Sequence, residues 1–455
     1  MRLHFPASSL ALALVSLCAA QNPPRPIFSI PPADAPELAR RGSYPVGVRT
    51  VDVVNSGQVD ILHFDAKTGR APLYDRPLRL EVWYPATIPQ GSTELTTYES
   101  SMPRPENLPD GAAKTFQIAG KALRDATPLP GRRFPLVIVS HGYPGSRTFL
   151  TYLTENLASK GYIVVAIDHT DSVFGETRAF TSTLLNRSND QLFTLDEMGR
   201  LSRQSGHFLN GLLDPSKVAI VGYSMGGYGA LASAGAAYSD KGMAMKFVPG
   251  GYFAGLTFGS PTLAARRRDT LKAVVAIAPW GAQPPYNAWD EQGLAGIHIP
   301  SLFIAGDLDD VADYPQGIQH IFSSAINSER CMLTFLNAHH NVGGNPAPDE
   351  ALAHFTTREF FEEPAWRKDR ITAINQHFIT AFLDLYLKGD ESRRAYIHVS
   401  PQRSNDGKWP QNPSEKSDMY SVGGANSSVP YWKGFQRRWA VGMEMKCESA
   451  SRTAK

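Results

Sequence analysis

The run Val218-Ala-Ile-Val-Gly-Tyr-Ser-Met-Gly-Gly227 constrains the fold of this chain more than any other stretch. Four apolar residues, Val218 to Val221, read as a buried strand. Gly222-x-Ser224-x-Gly226 follows, and then a small-residue helix begins near Gly227. A strand that turns this sharply into a helix holds its central serine in a strained backbone conformation, with Oγ projecting from the sheet. Side chains at Gly222 or Gly226 would collide with the neighbouring strand or helix. The pattern therefore predicts a nucleophile at Ser224 rather than an incidental serine in a Gly-rich turn.

A serine hydroxyl needs a base, an acid that orients the base, and donors for an oxyanion. In such a fold the partners follow in the order Ser, Asp or Glu, His, each just past a strand. Pro300-Ser-Leu-Phe-Ile-Ala305 reads as a buried strand that ends in Gly306-Asp-Leu-Asp-Asp310. Asp309 fits best, with Asp310 and Asp307 as alternatives. The loop lacks the ligand spacing and the glycine of an EF-hand, which argues against calcium. Cys331-Met-Leu-Thr-Phe-Leu336 reads as the last strand and runs into Asn337-Ala-His-His-Asn-Val-Gly-Gly344. His340 is favoured as the base over its neighbour His339. One oxyanion donor is the backbone N–H after the nucleophile, at Met225. The second is expected in His141-Gly-Tyr-Pro-Gly-Ser146, after the strand Phe134–Ser140, where Gly142 lets the Tyr143 N–H face the site.

These residues carry a resemblance to secreted α/β-hydrolases of the platelet-activating-factor acetylhydrolase-like group, with related patterns in the bacterial cutinases and polyester hydrolases. It rests on Leu80-Glu-Val-Trp-Tyr-Pro85, Pro135 to Gly142, Gly161 to His169, Gly222 to Gly227, Ala278-Pro-Trp280, Gly306-Asp-Leu-Asp309 and Ala338-His-His340. It spans roughly residues 45–390. The resemblance implies a Ser224–His340–Asp309 triad and an oxyanion hole from the Tyr143 and Met225 N–H groups. It also implies a substrate cleft lined by Trp280. The Tyr143 ring is expected to face the substrate as well. Tyr223 departs from the pattern, since many relatives have histidine there.

The expected fold is α/β: an α/β-hydrolase with a mostly parallel central sheet, antiparallel N-terminal strands, helices on both faces and a lid insertion. Alternating strands and helices imply right-handed crossovers. Val46–Val54 and Gln58–Phe64 are read as an antiparallel pair, with Leu78–Tyr84 as a third strand. A helix is expected near Thr115–Leu123, another over 190–213 with Asp190 as its N-cap, and an amphipathic last helix over Ile371–Leu387. The apolar, Gly-rich segment 238–269 lies where an insertion would overhang the nucleophile and is read as the lid.

The 455 residues are divided into a leader (1–20), a Pro-rich segment (21–44), one catalytic domain (45–390) and a C-terminal tail (391–455). The leader joins a weakly basic start to a short apolar run, Leu10–Ala20, too short to span a membrane. This predicts secretion. Its removal takes Cys18 and leaves Cys331 and Cys447, an even pair that permits one disulfide in an oxidising compartment. Asn186 and Asn426 open glycosylation sequons. The aromatic tail segment Tyr431–Trp439 is expected to pack back on the core. A 42% hydrophobic and 19% charged composition suits a globular core. A net charge of +2 with no basic run excludes a nucleic-acid partner.

The expected reaction is hydrolysis of a small-molecule or lipid-like ester through an acyl-enzyme, with no metal or organic cofactor. Interfacial contact is allowed for, and the oligomeric state is left open. The competing readings are a tailoring hydrolase for one secondary metabolite, a peptidase or amidase, and a catalytically silent binding module. Retention of both the serine and the histidine argues against the last.

Overall fold

The computed structural model describes residues 25–104, 107–408 and 431–451. Nine strands form the body of one sheet: β1 (Val46–Val59), β2 (Leu73–Thr87), β3 (Phe134–Ser140), β4 (Ile163–Asp168), β5 (Leu213–Tyr223), β6 (Leu271–Ile277), β7 (Ser301–Gly306), β8 (Arg330–Phe335) and β9 (Met443–Glu448). Their spatial order is β9-β8-β7-β6-β5-β3-β4-β2-β1. The run from β8 to β4 is parallel, while β9, and β2 with β1, pair antiparallel at its two ends. This is the α/β-hydrolase fold.

The parallel strands are buried on both faces, as crossover helices require. Successive residues point to opposite sides. Val137, Val139, Ala219 and Val221 pack with Leu153 and Leu157 of α1 (Thr151–Ser159) and with Ile374 and Phe378 of α4 (Lys368–Lys388). Leu136, Ile138, Val218 and Ile220 face the other way, onto Leu195 and Met198 of α2 (Phe180–Leu201) and Ala230 of α3 (Met225–Ser233). From β3 the chain moves outward to β4, then returns past β3 to β5. The strand order reverses at that pair, and a crevice opens beyond the carboxyl ends of strands at such a point.

Several expectations need correction. β1 is one strand through Val59 that pairs with β2, so Gln58–Phe64 does not fold back on Val46–Val54. Asn55-Ser-Gly57 has turn chemistry, but it makes a bulge, with a register shift between Asn55 and Gln58 and Gly57 at φ 69°. Thr115–Gly120 is a strand, not a helix. It pairs with Thr96–Ser101 and buries Phe116 and Ile118 at period two. The helix placed over 190–213 begins ten residues earlier, at Phe180, so Asp190 lies in its interior, fully buried, rather than at its start. β8 is not the last strand, because β9 from the tail adds an outer edge.

The tail binds the domain in two further ways. Trp432 and Phe435 pack edge-on and tilted against Phe378 of α4. Cys331 and Cys447 stand opposite each other across β8 and β9, with Cα atoms 4.0 Å apart, and form a disulfide. Segment 238–269 folds into short turns, including the helices Met243–Phe247 and Pro261–Ala265. Tyr238 and Phe253 stack at 4.5 Å, and both belong to the apolar core around Tyr228 and Trp289. Asn186 is buried inside α2 and donates to Ser182 Oγ at 3.2 Å, so it is closed to a glycan. Asn426 and the leader lie outside the described residues. No described helix is long and apolar enough to cross a membrane.

Candidate active site

Ser224 sits between β5 and α3 with φ 53° and ψ −114°, a conformation that costs a non-glycine residue about 1–3 kcal/mol. The surroundings hold it there. Its N–H donates to Ile277 O at 2.8 Å, and its carbonyl accepts Tyr228 N–H at 3.0 Å and Trp280 N–H at 3.2 Å. The two flanking glycines allow the turn. A Cβ on Gly222 would lie 2.1 Å from Gly226 O, and one on Gly226 would lie 2.0 Å from Ser140 O.

His340 arrives on the loop after β8, with Nε2 3.0 Å from Ser224 Oγ. Its Nδ1 lies 2.8 Å from Asp309 Oδ2. Asp309 is locked from its other oxygen, since Oδ1 accepts the N–H groups of Val311 at 3.0 Å and Ala312 at 2.8 Å. All three residues are buried. The alternatives fall elsewhere. His339 is half-buried and faces Asp310 at 3.6 Å, while Asp307 accepts the Asn337 N–H at 2.6 Å. A serine hydroxyl, an imidazole and a buried carboxylate in this order can pass the hydroxyl proton to Nε2 while the carboxylate holds the Nδ1 proton.

Met225 is the first residue of α3, so its N–H is one of the helix donors with no intrahelical partner. Gly142 borders the serine closely enough that a Cβ there would sit 3.3 Å from Ser224 Cβ, which puts the Gly142–Tyr143 peptide beside the nucleophile. An aromatic wall continues from it. Tyr143 meets Phe180 at 5.0 Å, Phe180 meets Trp280 at 5.3 Å, and Trp280 meets Tyr286 at 4.5 Å. Phe180 and Tyr286 escaped the sequence reading. Nothing local marks either as neighbour to Trp280.

Three supports were also missed. Tyr223 packs its ring against His340. Glu363 accepts the backbone N–H groups of His339 and Asn341, both at 2.6 Å, and so clamps the histidine loop on either side of His340. Lys368 donates to the Asn341 carbonyl. Burial pulls the Lys368 amine down to about 8. Glu363 and Lys368 lie before and at the start of α4 and carry no motif.

Residues 81–200 match the family model described as platelet-activating factor acetylhydrolase, isoform II. A cutinase of Thermobifida alba is 24% identical over 215 residues, 47% of this chain and 55% of that protein. A bis(hydroxyethyl) terephthalate hydrolase of Streptomyces coelicolor is 24% identical over 213 residues, 46% of this chain and 50% of that one. The chain thus spans about half the length of the curated relatives it matches. A ferulic acid esterase structure from Streptomyces cinnamoneus superposes with a TM-score of 0.50 at 20% identity, covering 78% of this chain and 94% of the other, a likeness of fold. The chain is similar to acetylhydrolase-like and cutinase-type hydrolases, on an α/β-hydrolase fold.

Proposed function

We propose that this protein is a secreted serine hydrolase of carboxylic esters. The observation that carries the reading is the relay from Ser224 Oγ to His340 Nε2 at 3.0 Å and from His340 Nδ1 to Asp309 at 2.8 Å. His340 takes the Ser224 proton as Oγ attacks the ester carbonyl. Asp309 keeps the imidazole in the required tautomer and stabilises its cation. The Met225 and Tyr143 N–H groups receive the oxyanion, each worth about 3 kcal/mol in comparable sites. His340 then protonates the leaving alcohol, and water releases the acid from Ser224 by the same steps. Trp280 and the Tyr143 ring, joined through Phe180, offer an apolar wall to a small or lipid-like ester. The Cys331–Cys447 bridge suits an oxidising compartment and supports secretion.

The test is turnover of p-nitrophenyl esters, from acetyl to long acyl, by wild type and Ser224→Ala side by side. Wild type should hydrolyse at least the short esters and the variant should lose that activity. Undiminished turnover by the folded variant would remove Ser224 from the chemistry.

A further inference from the structure

A second Ser–His–Asp set lies behind the first. Ser140, at the end of β3, is 2.8 Å from His169 Nε2, and His169 Nδ1 is 2.9 Å from Asp190 Oδ2. Arg76 pairs with both oxygens of Asp190, at 2.8 and 3.0 Å. All four residues are essentially inaccessible to solvent, so this set does no chemistry. It anchors the end of β3, from which the loop His141–Ser146 leaves.

Arg187, one turn before Asp190 on α2, is also buried. Its Nη1 donates to His141 O at 2.7 Å, and its Nη2 donates to Gly142 O at 3.3 Å and Ser172 Oγ at 2.8 Å. His141 adds a second donor, Nδ1–H, to the same Gly142 carbonyl at 2.8 Å, while its Nε2 accepts the His169 N–H at 3.3 Å. Burial foremost, and then the Arg187 charge, hold the His141 imidazole neutral. Room for these groups is built in. A Cβ on Gly229 would lie 2.5 Å from Arg187 Cγ, and one on Gly145 would lie 2.5 Å from His141 Nδ1.

The carbonyl of Gly142 and the N–H of Tyr143 belong to one trans peptide and point in opposite directions. Donors that pull Gly142 O inward therefore turn the Tyr143 N–H outward, beside Ser224. Charge acts in the same sense. Arg76 pairs with Asp190 and with Asp171, whereas Arg187 forms no ion pair among the described residues and meets the His141 and Gly142 carbonyls, Ser172 Oγ and, at 3.5 Å, His141 Nδ1. In a tetrahedral adduct Asp309 and protonated His340 cancel, which leaves the oxyanion as the added charge. A buried cation behind the loop stabilises that charge at low dielectric.

We propose that Arg187 is a positioning residue for the reaction. It fixes the Gly142–Tyr143 peptide as an oxyanion donor and supplies a buried positive charge behind it. The inference rests on the hydrolase reading above and goes beyond it.

The experiment compares wild type, Arg187→Met and Arg187→Lys. It measures kcat and KM on p-nitrophenyl acetate and inhibition by phenylboronic acid, whose boron takes Ser224 Oγ and becomes an anionic tetrahedron. Arg187→Met should lower kcat by about 10- to 100-fold with KM nearly constant, and should weaken the boronate by a similar factor. Arg187→Lys, which keeps the charge without the fork, should recover part of both. A folded Arg187→Met with wild-type kcat would overturn the proposal, as would a fall in kcat with boronate affinity unchanged. If Arg187→Met shows no cooperative melt, Ser172→Ala takes its place, since it removes one anchor of the guanidinium. It should lower kcat and boronate affinity together by about threefold or more, and wild-type values for both would overturn the proposal. Ser224→Ala, run alongside, keeps the readings separate, because full turnover there sinks the hydrolase assignment and not the placement of Arg187.

Discussion

The ring of Tyr223 packs against the ring of His340, with centroids 5.4 Å apart, and its hydroxyl donates to the His340 carbonyl at 3.3 Å. The residue before the nucleophile is thus a support for the base. Gly343 makes room for it, because a Cβ there would lie 2.3 Å from Tyr223 Cδ2. The ring carries most of this contact, and the hydroxyl bond is long. Tyr223→Phe should keep kcat within about threefold of wild type, whereas Tyr223→Ala should lower it by about tenfold or more through a displaced imidazole. Steady-state kinetics on p-nitrophenyl acetate separates the two.

The adjacent histidines should behave in opposite ways. His340→Ala removes the imidazole in contact with Ser224 and should cost about a thousandfold or more in kcat. His339→Ala removes a half-buried ring that faces Asp310 rather than Ser224 and should leave kcat near wild type. Loss of activity in His339→Ala with His340→Ala tolerated would exchange their roles.

Glu363→Gln tests the clamp on the histidine loop. A carboxylate accepts both backbone N–H groups, at His339 and Asn341. An amide presents one oxygen and turns an NH₂ group toward the other donor. The variant should lose about 1.5–3 kcal/mol of stability and show a lower kcat with KM little changed. Thermal melts and kinetics on one preparation check both.

Acid should destabilise the fold below pH 6.5. Burial, helped by Arg187, pushes His169 down to about 3, and burial, helped by Lys160, pushes His377 down to about 3. Both rings are neutral in the folded protein, while the unfolded chain takes up their protons near 6.5. The unfolded state then binds more protons, so stability is complete above that value and declines as pH falls toward 3. The loss is on the order of 3 kcal/mol per histidine by pH 4. His377→Gln should flatten the fall in melting temperature between pH 7 and 4, and an unchanged slope would dismiss this cause.

The Cys331–Cys447 bridge closes 116 residues of sequence. Cys447→Ser should lose about 2–5 kcal/mol of stability, and reduced wild type should melt with it. The bridge lies on the outer edge of the sheet, away from Ser224, so activity at 25 °C should be retained.

The parts legible in the sequence were those whose cause is local. Gly222-x-Ser224-x-Gly226 is read from steric needs within five residues, and Asp309 and His340 each follow a run of buried strand residues. What was hidden depends on distant partners. Asp190 looks like a helix cap because Asn189-Asp190 has cap chemistry, yet Arg76 and His169 make it an interior residue. Arg187 and Glu363 act on backbone carbonyls and N–H groups that no side-chain pattern reveals. Asn55-Ser-Gly57 has the chemistry of a turn, and only pairing with β2 makes it a bulge.

The edge made by β9 has a consequence for synthesis. β8 leaves the ribosome with Cys331 more than a hundred residues before Met443–Glu448 exists to pair with it. In that interval a nascent chain presents an uncapped strand and a free thiol, both competent to join a neighbouring copy. The final segment therefore acts as the chain's own safeguard against strand exchange. A stop codon placed before Met443 would leave the hydrolytic residues in place and release a protein prone to self-association.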